Sequence, residues 1–270
     1  MTKEAINFKE KNKNLNFHKM SLDELNQLPK HLGIVEFKTS KTSFKMLNIL
    51  NDDSTATEYF WKGISDDSPS LNLWFNICKE EGIYLDVGAH TGIFVLTALK
   101  SNANNFVIAI EPFYLNLARL VVNLRINDVN YYKNVQTIGM AASNTGGIKK
   151  FNVNFRGTYL YKGGKIDDSG EPINTIKIDD INFDTMNKKV KGIKIDTEGE
   201  DLNVLIGSQK TIQKFKPNII IEVRNKNKAN IQKILNQLNY TMYNVNDLSN
   251  ILDLNNIDID NIVNVFAKPF

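Results

Sequence analysis

The stretch IYLDVGAHTGIFVLTALK, residues 83–100, changes its hydrophobic period near its centre. Its first part, IYLDVG, is a continuous apolar run typical of a buried parallel strand, and the part after the second glycine continues as an apolar helix. Gly88 and Gly92 lie at the junction, where a tight turn favours residues without a β-carbon. The stretch therefore predicts the first strand–turn–helix unit of an α/β sheet.

Strand and helix patterns continue to alternate after this unit. Four further apolar runs predict the second to fifth strands: FVIAIEP, VQTIGMAAS, GIKIDTEG and NIIIEV. Helical spacing predicts helices in YLNLARLVVNLRIND, EDLNVLIGSQKTIQKF and NIQKILNQLNY, and TMYNVN and NVFAKP predict closing strands. This alternation predicts an α/β fold with a doubly wound, mostly parallel sheet, whose ligands bind beyond the carboxyl ends of the strands.

Residues 1–70 have shorter and more mixed patterns, which predict an N-terminal extension before a main domain of residues 71–270. Ser21 and Glu24 match a capping box for a short helix, and GIVEFKT and SFKMLNIL predict two strands of a small sheet or hairpin. We expect the aromatic cluster Tyr59–Trp61 to pack in the core. Acceptor binding and oligomer contacts are the candidate roles of the extension.

The composition sets limits on the protein class. Hydrophobic residues make up 42% of the 270 residues and charged residues 23%, which is typical of a globular protein. The net charge of +3 comes from scattered lysines without a dense basic stripe, so no nucleic-acid partner is predicted. Cys78 is the only cysteine, which excludes an internal disulfide. The polar start and the absence of a long apolar run predict no membrane span and a cytoplasmic location.

The first strand–helix corner has the spacing Asp86-x-Gly88-x-x-x-Gly92. Dinucleotide-binding folds instead use G-x-G-x-x-G to bring backbone amides to a pyrophosphate, which Asp86 would repel. An acid at this position suits a cationic ligand such as S-adenosylmethionine. Glu111 ends the next strand, where a carboxylate can accept hydrogen bonds from a ribose diol. His90 is assigned to the same loop, and no metal site is predicted because the other two histidines are in the N-terminal region.

A second group of charged residues lies in IKIDTEGEDLNVLIG. The period of two places Lys194, Asp196 and Glu198 on one side of the fourth strand. A lysine in a buried strand needs a carboxylate partner. In the usual order of such sheets the fourth strand lies between the first and the fifth, so Asp86 and Glu222 should converge with this group on one crevice. A purely structural salt-bridge cluster is the alternative.

Several motifs in series resemble the FkbM family of S-adenosylmethionine-dependent methyltransferases over about residues 80–225: LDVGAHTG, IEP, KIDDI, IKIDTEGEDLNVLIG and KPNIIIEV. The resemblance implies a Rossmann-like class I methyltransferase fold and S-adenosylmethionine as cofactor. It also implies that Glu111 holds the ribose and that Ala142 and Ser143 border the adenine. His90 stands where many members have asparagine. The predicted cofactor residues are Asp86, Gly88, Ala89, His90, Gly92, Glu111, Ala142 and Ser143.

The family implies methyl transfer to a hydroxyl group of a sugar, on a nucleotide-linked or surface-polysaccharide precursor, or of a polyketide-like molecule. The alcohol needs a base near its proton. Asp196 is the first candidate, Glu198 the second, and Lys194 would orient either carboxylate. A magnesium ion held by two carboxylates is an alternative. The candidate acceptor residues are Glu222 and, in the long loop NFRGTYLYKGGKIDDSGEPIN, Arg156, Tyr159 and Tyr161; a surface hairpin is the other interpretation of this loop.

Two other functions compete with methyl transfer. A nucleotide-dependent oxidoreductase or epimerase can use the same sheet, but the missing G-x-G-x-x-G pattern disfavours it. A non-catalytic interaction module can also use it, and the intact acidic residues disfavour that interpretation. Comparing the binding of S-adenosylmethionine and NAD distinguishes a methyltransferase from an oxidoreductase or epimerase. The absence of affinity for any cofactor would indicate a non-catalytic interaction module.

Overall fold

The computed structural model describes residues 2–64, 68–153, 160, 164–257 and 263–270. The α-helices are α1 Thr2–Lys11, α2 Leu22–Gln27, α3 Ser54–Lys62, α4 Ser68–Ile77, α5 Ile93–Ser101, α6 Tyr114–Arg125, α7 Tyr131–Asn134, α8 Asp201–Ile206, α9 Gln209–Phe215 and α10 Lys228–Gln237. Short 3₁₀ helices span Phe17–Lys19, Ile178–Asp180, Asp184–Met186 and Leu254–Asn256.

The strands form three sheets. In chain order they are β1 Leu32–Lys38, β2 Ser43–Ile49, β3 Ile83–Val87, β4 Phe106–Ile110, β5 Val135–Ile138, β6 Ala141–Ala142, β7 Gly147–Val153, β8 Gly164–Ile166, β9 Glu171–Ile176, β10 Val190–Ile195, β11 Asn218–Val223, β12 Tyr240–Asn244, β13 Asp247–Ile251 and β14 Val263–Pro269. The main sheet has the order β13-β12-β14-β11-β10-β3-β4-β5, β1 pairs with β2, and a small sheet has the order β6-β9-β7-β8.

The five strands from β11 to β5 across the main sheet are parallel, and β12, β13 and β14 are antiparallel. Strand β10 lies between β3 and β11, which confirms the predicted neighbours. The sheet has a hydrophobic cluster on each face: Ile83, Leu85 and Val87 belong to one and Tyr84 to the other. This two-sided burial explains why IYLDV is apolar throughout, and the α/β doubly wound fold is confirmed.

The N-terminal elements agree with the sequence. The Ser21 hydroxyl accepts from the Glu24 N–H, and the Glu24 carboxylate accepts from the Ser21 N–H at 2.7 Å, which is the predicted capping box. The predicted hairpin is β1–β2. Tyr59 and Trp61 are buried as expected, while Phe60 is only partly buried. The division of the chain at residue 70 stays a prediction.

Two asparagine side chains, one in α6 and one just after it, hold the hairpin against the main domain. Asn123 and Asn127 accept hydrogen bonds from the N–H groups of Leu47 and Lys45 at 2.9 and 2.8 Å. These bonds cover the outer edge of β2, which would otherwise expose unpaired backbone groups. The N-terminal region therefore has a fixed position beside the sheet.

Two elements that were predicted as continuous are each divided into two in the structure, so both predictions are wrong. VQTIGMAAS is not one strand: β5 ends at Ile138, and β6 pairs with β9 in the small sheet. EDLNVLIGSQKTIQKF is not one helix, since it divides at Gly207, where a β-carbon would lie 2.2 Å from the Ser143 carbonyl oxygen. The Asp179 carboxylate accepts from Thr211 N at 2.8 Å and satisfies the start of the second helix.

Two strand groups were missed by the sequence analysis. The region predicted as a long loop between the third and fourth main strands contributes β8 and β9 to the small sheet. Strand β13 extends the main sheet at its edge, where all of its residues are exposed and the apolar pattern is weak. Arg156, Tyr159 and Tyr161 lie outside the described residues. Within the described part of the chain, no helix has the length and apolar character needed to cross a membrane.

Candidate active site

The glycine turn after β3 lies directly against the end of β10. Gly88 has a φ of 79°, and a β-carbon there would be 1.8 Å from the carbonyl oxygen of Asp196. The N–H groups of Gly88 and Ala89 donate to the Ile110 carbonyl at 2.9 and 3.0 Å, and Lys194 Nζ donates to the Gly88 carbonyl at 2.9 Å. The turn is therefore held from both neighbouring strands, and only glycine fits at position 88.

Two further positions of this loop, His90 and Gly92, also have left-handed backbones. His90 has a φ of 47°, a conformation that asparagine adopts more readily than most residues. Its Nε2 lies 3.0 Å from the Leu160 carbonyl oxygen, which requires the ring to donate from Nε2. Gly92 has a φ of 96° and lies against Leu120 of α6, where a β-carbon would approach to 2.9 Å. This glycine therefore allows close helix packing at the start of α5.

Glu111, after β4, is a buried carboxylate that organises the loop. Oε2 accepts from His90 N at 2.9 Å, and Oε1 accepts from Phe113 N and Asn116 Nδ2 at 3.0 and 3.2 Å. Burial raises the pKa of Glu111, and these hydrogen bonds oppose the rise. Asn116 Oδ1 is buried without a donor among the described residues. Oε2 and Asn116 Oδ1 thus retain capacity to accept from a ligand.

Lys194 connects the ends of β3 and β10, as the buried position required. Its Nζ lies 3.4 Å from Asp86 Oδ1 and 3.6 Å from Asp196 Oδ2. Burial raises the pKa of Asp86 to about 6, and the Lys194 charge limits the rise. The Asp86 side chain is 1% exposed, whereas that of Asp196 is 36% exposed. The buried Asp86 carboxylate therefore compensates the charge of Lys194, and the Asp196 carboxylate is the one that solvent can reach.

The turn after β10 is fixed by Asp201. This buried carboxylate accepts from Thr197 N at 2.8 Å and Gly199 N at 3.2 Å. Glu198 has a φ of 52°, so it reaches the site through a left-handed turn. The predicted period of two ends at Ile195, the last strand residue, and does not place Glu198. The sequence analysis did not select Asp201. Its position two residues after Gly199 was the available sign that its carboxylate accepts from the turn.

Arg224, also missed, joins two acidic side chains at the end of β11. Its NH2 atom donates to Glu198 Oε2 and Glu222 Oε2, both at 2.8 Å, and its Nε donates to Glu222 Oε2 at 2.9 Å. Burial and the charges of Asp196 and Asp201 raise the pKa of Glu222 to about 8, although Arg224 opposes the rise. Burial also raises the pKa of Glu198. Of the lining carboxylates Asp196, Glu198 and Glu222, only Asp196 has no guanidinium partner in the described structure.

One pocket contains most of the predicted site. It is lined by Gly88, Ala89, His90, Glu111, Ala142, Lys194, Asp196, Glu198 and Glu222. Asp86, Gly92 and Ser143 lie outside its lining; the Ser143 hydroxyl donates to Glu200 Oε2 at 2.8 Å. Further lining residues that the sequence analysis did not select are Thr55, Phe94, Phe113, Asn116, Phe151, Val153, Ile166, Thr197 and Glu200. Among the described residues, no group of three or more His, Cys, Asp and Glu side chains is arranged to hold a metal ion.

Glu222 should make the stability of the protein pH-dependent. Its folded pKa of about 8 exceeds the ordinary value of 4.5, so the folded state binds its proton more tightly than the unfolded chain. The free energy of unfolding should therefore fall as pH rises from about 4.5 to 8. In Glu222→Gln, this fall in the free energy of unfolding between pH 4.5 and 8 should be smaller by about 1–3 kcal/mol. Chemical denaturation at several pH values measures it. Exposed Glu171→Gln is the control, and equal slopes for both variants would contradict the proton on Glu222.

Comparisons with known proteins show which family and which fold the chain resembles. The family model described as the methyltransferase FkbM domain matches residues 86–248. A methyltransferase FkbM from Methylobacillus flagellatus KT has 16% identity and a TM-score of 0.48, with 82% of this chain and 67% of that chain covered. An S-adenosylmethionine-dependent methyltransferase from Agrobacterium tumefaciens has 7% identity and a TM-score of 0.50, with coverages of 88% and 70%. No curated protein matches the chain in sequence.

The family model places the chain in the class of S-adenosylmethionine-dependent methyltransferases, and the Agrobacterium tumefaciens structure shares its fold. Since the family model covers more than half of the chain, the protein belongs to the FkbM methyltransferase family. The likeness to the Agrobacterium tumefaciens structure supports the fold only, given its low identity. The resemblance inferred from the motifs is thereby confirmed.

The residues at the end of β4 fit the S-adenosylmethionine of this class. The unpaired Asn116 Oδ1 and the remaining capacity of Glu111 Oε2 are acceptors for hydroxyl or amino donors. Apolar lining residues from the ends of β4 and from β6 can cover a flat ring: Ile110, Pro112, Phe113, Ala141 and Ala142. The charge of the site is predominantly acidic, which suits a cationic cofactor.

Proposed function

We propose that the protein transfers the methyl group of S-adenosylmethionine to a hydroxyl group of a carbohydrate, with Asp196 as the general base. The observation that carries the proposal is the position of Asp196 at the carboxyl end of β10, in the pocket and beside Lys194 at 3.6 Å. Bound S-adenosylmethionine supplies an activated methyl group. The protein must then align the acceptor, exclude water and remove the hydroxyl proton.

The three carboxyl groups near the acceptor side differ in their capacity to act as a base. Arg224 donates to Glu222 Oε2 from two nitrogens at 2.8 and 2.9 Å, and burial raises the pKa of Glu222 to about 8, so this carboxyl is poorly suited to accept the substrate proton. Glu198 is held by Arg224 at 2.8 Å, which reduces its freedom to meet a substrate proton. Asp196 has no guanidinium partner in the described structure, its side chain is 36% exposed, and Lys194 at 3.6 Å can orient it. We assign Glu198 and Glu222 to the shape and hydrogen bonding of the acceptor side.

Polar and aromatic side chains together support a sugar as the acceptor. Carboxylates of Glu198, Glu200 and Asp196 face the pocket as acceptors for hydroxyl donors. The Phe151 ring of β7 provides an apolar surface in the pocket lining. Gly164 packs against this ring, and a β-carbon at position 164 would lie 2.5 Å from Phe151 Cζ. A polyol has both hydroxyl donors and apolar C–H faces. A nucleotide-linked or polysaccharide-precursor sugar satisfies this description.

At the cofactor end, we assign Gly88, Ala89 and His90 to the loop beside the cofactor and Glu111 to its ribose. Asp86 and Gly92 support this loop from outside the pocket lining, and Ser143 lies behind Ala142. Asn116 joins the predicted set because its Oδ1 needs a donor.

Glu111→Ala should weaken S-adenosylmethionine binding by about 10–150-fold, since it removes charge-assisted hydrogen bonds of about 1.5–3 kcal/mol. Isothermal titration calorimetry measures the change. Glu111→Gln is the conservative comparison, and it places an amide N–H against the donor of either His90 or Phe113. Unchanged affinity in the alanine variant, with a normal melting temperature, would show that Glu111 does not hold the cofactor.

The proposed acceptor class is tested by incubation with labelled S-adenosylmethionine and a panel of acceptors. The panel contains nucleotide sugars, oligosaccharides, polyketide-like alcohols and RNA, and mass spectrometry detects the gain of one methyl group. We expect methylation of a sugar hydroxyl that is lost in Asp196→Asn. Methylation confined to RNA or to the polyketide-like alcohols would overturn the carbohydrate assignment.

A further inference from the structure

Leu160, which lies between β7 and β8 in the chain, is bound to the start of α3 in the N-terminal region. Its N–H donates to the Asp52 carbonyl at 2.8 Å, and its carbonyl oxygen accepts from the N–H and the hydroxyl of Ser54 at 3.4 and 3.3 Å. The contact forms an isolated parallel bridge between Asp53 and Leu160. Leu160 is 4% exposed, so this contact is buried.

The imidazole of His90 joins the same contact from the turn after β3. Its Nε2 donates to the Leu160 carbonyl oxygen at 3.0 Å. With the proton on Nε2, Nδ1 is an acceptor, and the hydroxyl groups of Thr91 and Thr55 lie 3.2 and 3.4 Å from it. Thr55 belongs to the first turn of α3 and lines the active-site pocket. One ring therefore contacts its own loop, the start of α3 and Leu160.

His90 also lies between the two sides of the pocket. On the cofactor side, its backbone N–H donates to Glu111 Oε2 at 2.9 Å. On the acceptor side, Leu160 lies between two strands whose residues line the pocket: Phe151 and Val153 of β7, and Gly164 and Ile166 of β8. The backbone of His90 is thus held by the cofactor side, while its side chain holds Leu160.

We infer that His90 is a positioning residue whose imidazole couples the cofactor loop to the acceptor side of the pocket through the Leu160 carbonyl. A cofactor that orders the backbone of the loop also orders the ring, and the ring then restrains Leu160 and the first turn of α3. The N-terminal region is thereby part of the active site. This role rests on the proposed arrangement of cofactor and acceptor, but it does not require the acceptor to be a carbohydrate.

Amide hydrogen exchange of the full chain, followed by ¹⁵N-correlated NMR, tests the contact. The Leu160 and Ser54 amides report it because each donates across it, and the Ile231 amide of α10 is the internal reference. His90→Asn keeps a residue suited to the left-handed φ of 47°, but its side chain ends short of the Leu160 carbonyl. We expect the two reporting amides to exchange about 2–10-fold faster in this variant, with the Ile231 amide unchanged.

A longer amide side chain should restore the contact. In His90→Gln, the amide nitrogen can donate from near the position of the imidazole Nε2. The Leu160 amide should then exchange within about 2-fold of the wild-type rate, although glutamine suits the left-handed turn less well than asparagine. His18→Asn changes an exposed histidine of the N-terminal region and should affect none of these amides. Faster exchange of the Ile231 amide together with the reporters would show general destabilisation and would contradict the positioning role.

S-adenosylhomocysteine is the probe for the coupling, and calorimetry establishes its saturation. In the wild-type protein it should slow exchange of the Leu160 and Ser54 amides by about 5-fold or more. In His90→Asn it should slow only the amides of the loop itself. Equal slowing at Leu160 in both proteins, or wild-type exchange in His90→Asn without cofactor, would overturn the inference. Neither measurement uses an acceptor, so a failed acceptor screen would contradict the proposed function and leave this result to be judged separately.

Discussion

Asp196→Asn is expected to lower kcat by about 10²–10⁴-fold, the usual contribution of a general base, while the affinity for S-adenosylmethionine stays unchanged. Asparagine keeps the size of the side chain and removes its basicity. The Asp196 side chain is 36% exposed and lies at the strand end, so the substitution should not prevent folding. Steady-state kinetics on the acceptor methylated by the wild-type protein, with calorimetry of cofactor binding, measures both quantities.

Two controls define the meaning of this result. Asp180→Asn changes an exposed carboxylate that pairs with Lys177, and turnover should be unaffected. Glu198→Gln keeps one hydrogen-bond acceptor for Arg224 and should reduce kcat much less than Asp196→Asn. Full turnover in Asp196→Asn would assign the base to another group, with Glu198 as the next candidate. Loss of folding would instead show that the Lys194 group is a structural ion-pair cluster.

Gly88→Ala is expected to raise the Kd for S-adenosylmethionine by more than about 100-fold and to lower the melting temperature. The added β-carbon would be 1.8 Å from the Asp196 carbonyl oxygen, so the turn must move away from β10. The left-handed φ of 79° adds about 1 kcal/mol of strain for alanine. Displacement of this turn moves the amides of the proposed cofactor loop and the hydrogen bond from Lys194 together.

Gly63 offers a matched control for the strain alone. It has a φ of 75°, and no atom lies within 4 Å of its hypothetical β-carbon. Gly63→Ala should therefore lower stability by about 1 kcal/mol and leave cofactor binding unchanged. If Gly88→Ala behaves like Gly63→Ala in thermal unfolding and in calorimetry, the contact between the two strand ends does not control the cofactor loop.

The charged group at β10 shows which part of a site can be predicted from the sequence. Lys194 lies within an apolar run, so the cost of an unpaired buried charge required a carboxylate nearby. The parallel-sheet order placed Asp86 and Glu222 near the lysine, and the structure pairs Lys194 with Asp86 at 3.4 Å. The same argument did not reveal Arg224, because an arginine after the end of a strand carries no local sign of the residues it contacts.

The small sheet shows the opposite case. Strands β7 and β9 are polar and partly exposed, so their apolar patterns are weak, and β6 has only two residues. Their pairing depends on contacts between segments more than twenty residues apart, such as Ala141 with Thr175. The local sequence therefore predicted a loop where the structure has a sheet that lines the pocket.

By itself, the sequence determined the alternation of strands and helices, the glycine turn between β3 and α5, and the need to pair Lys194. Each depends on interactions close in the chain or on the cost of burying a charge. Only the tertiary structure decided that Arg224 holds Glu198 and Glu222 while Asp196 stays accessible, and that Gly88 meets the Asp196 carbonyl. These choices arise where distant strand ends converge, because distances of about 3 Å between side chains depend on packing that no local pattern encodes.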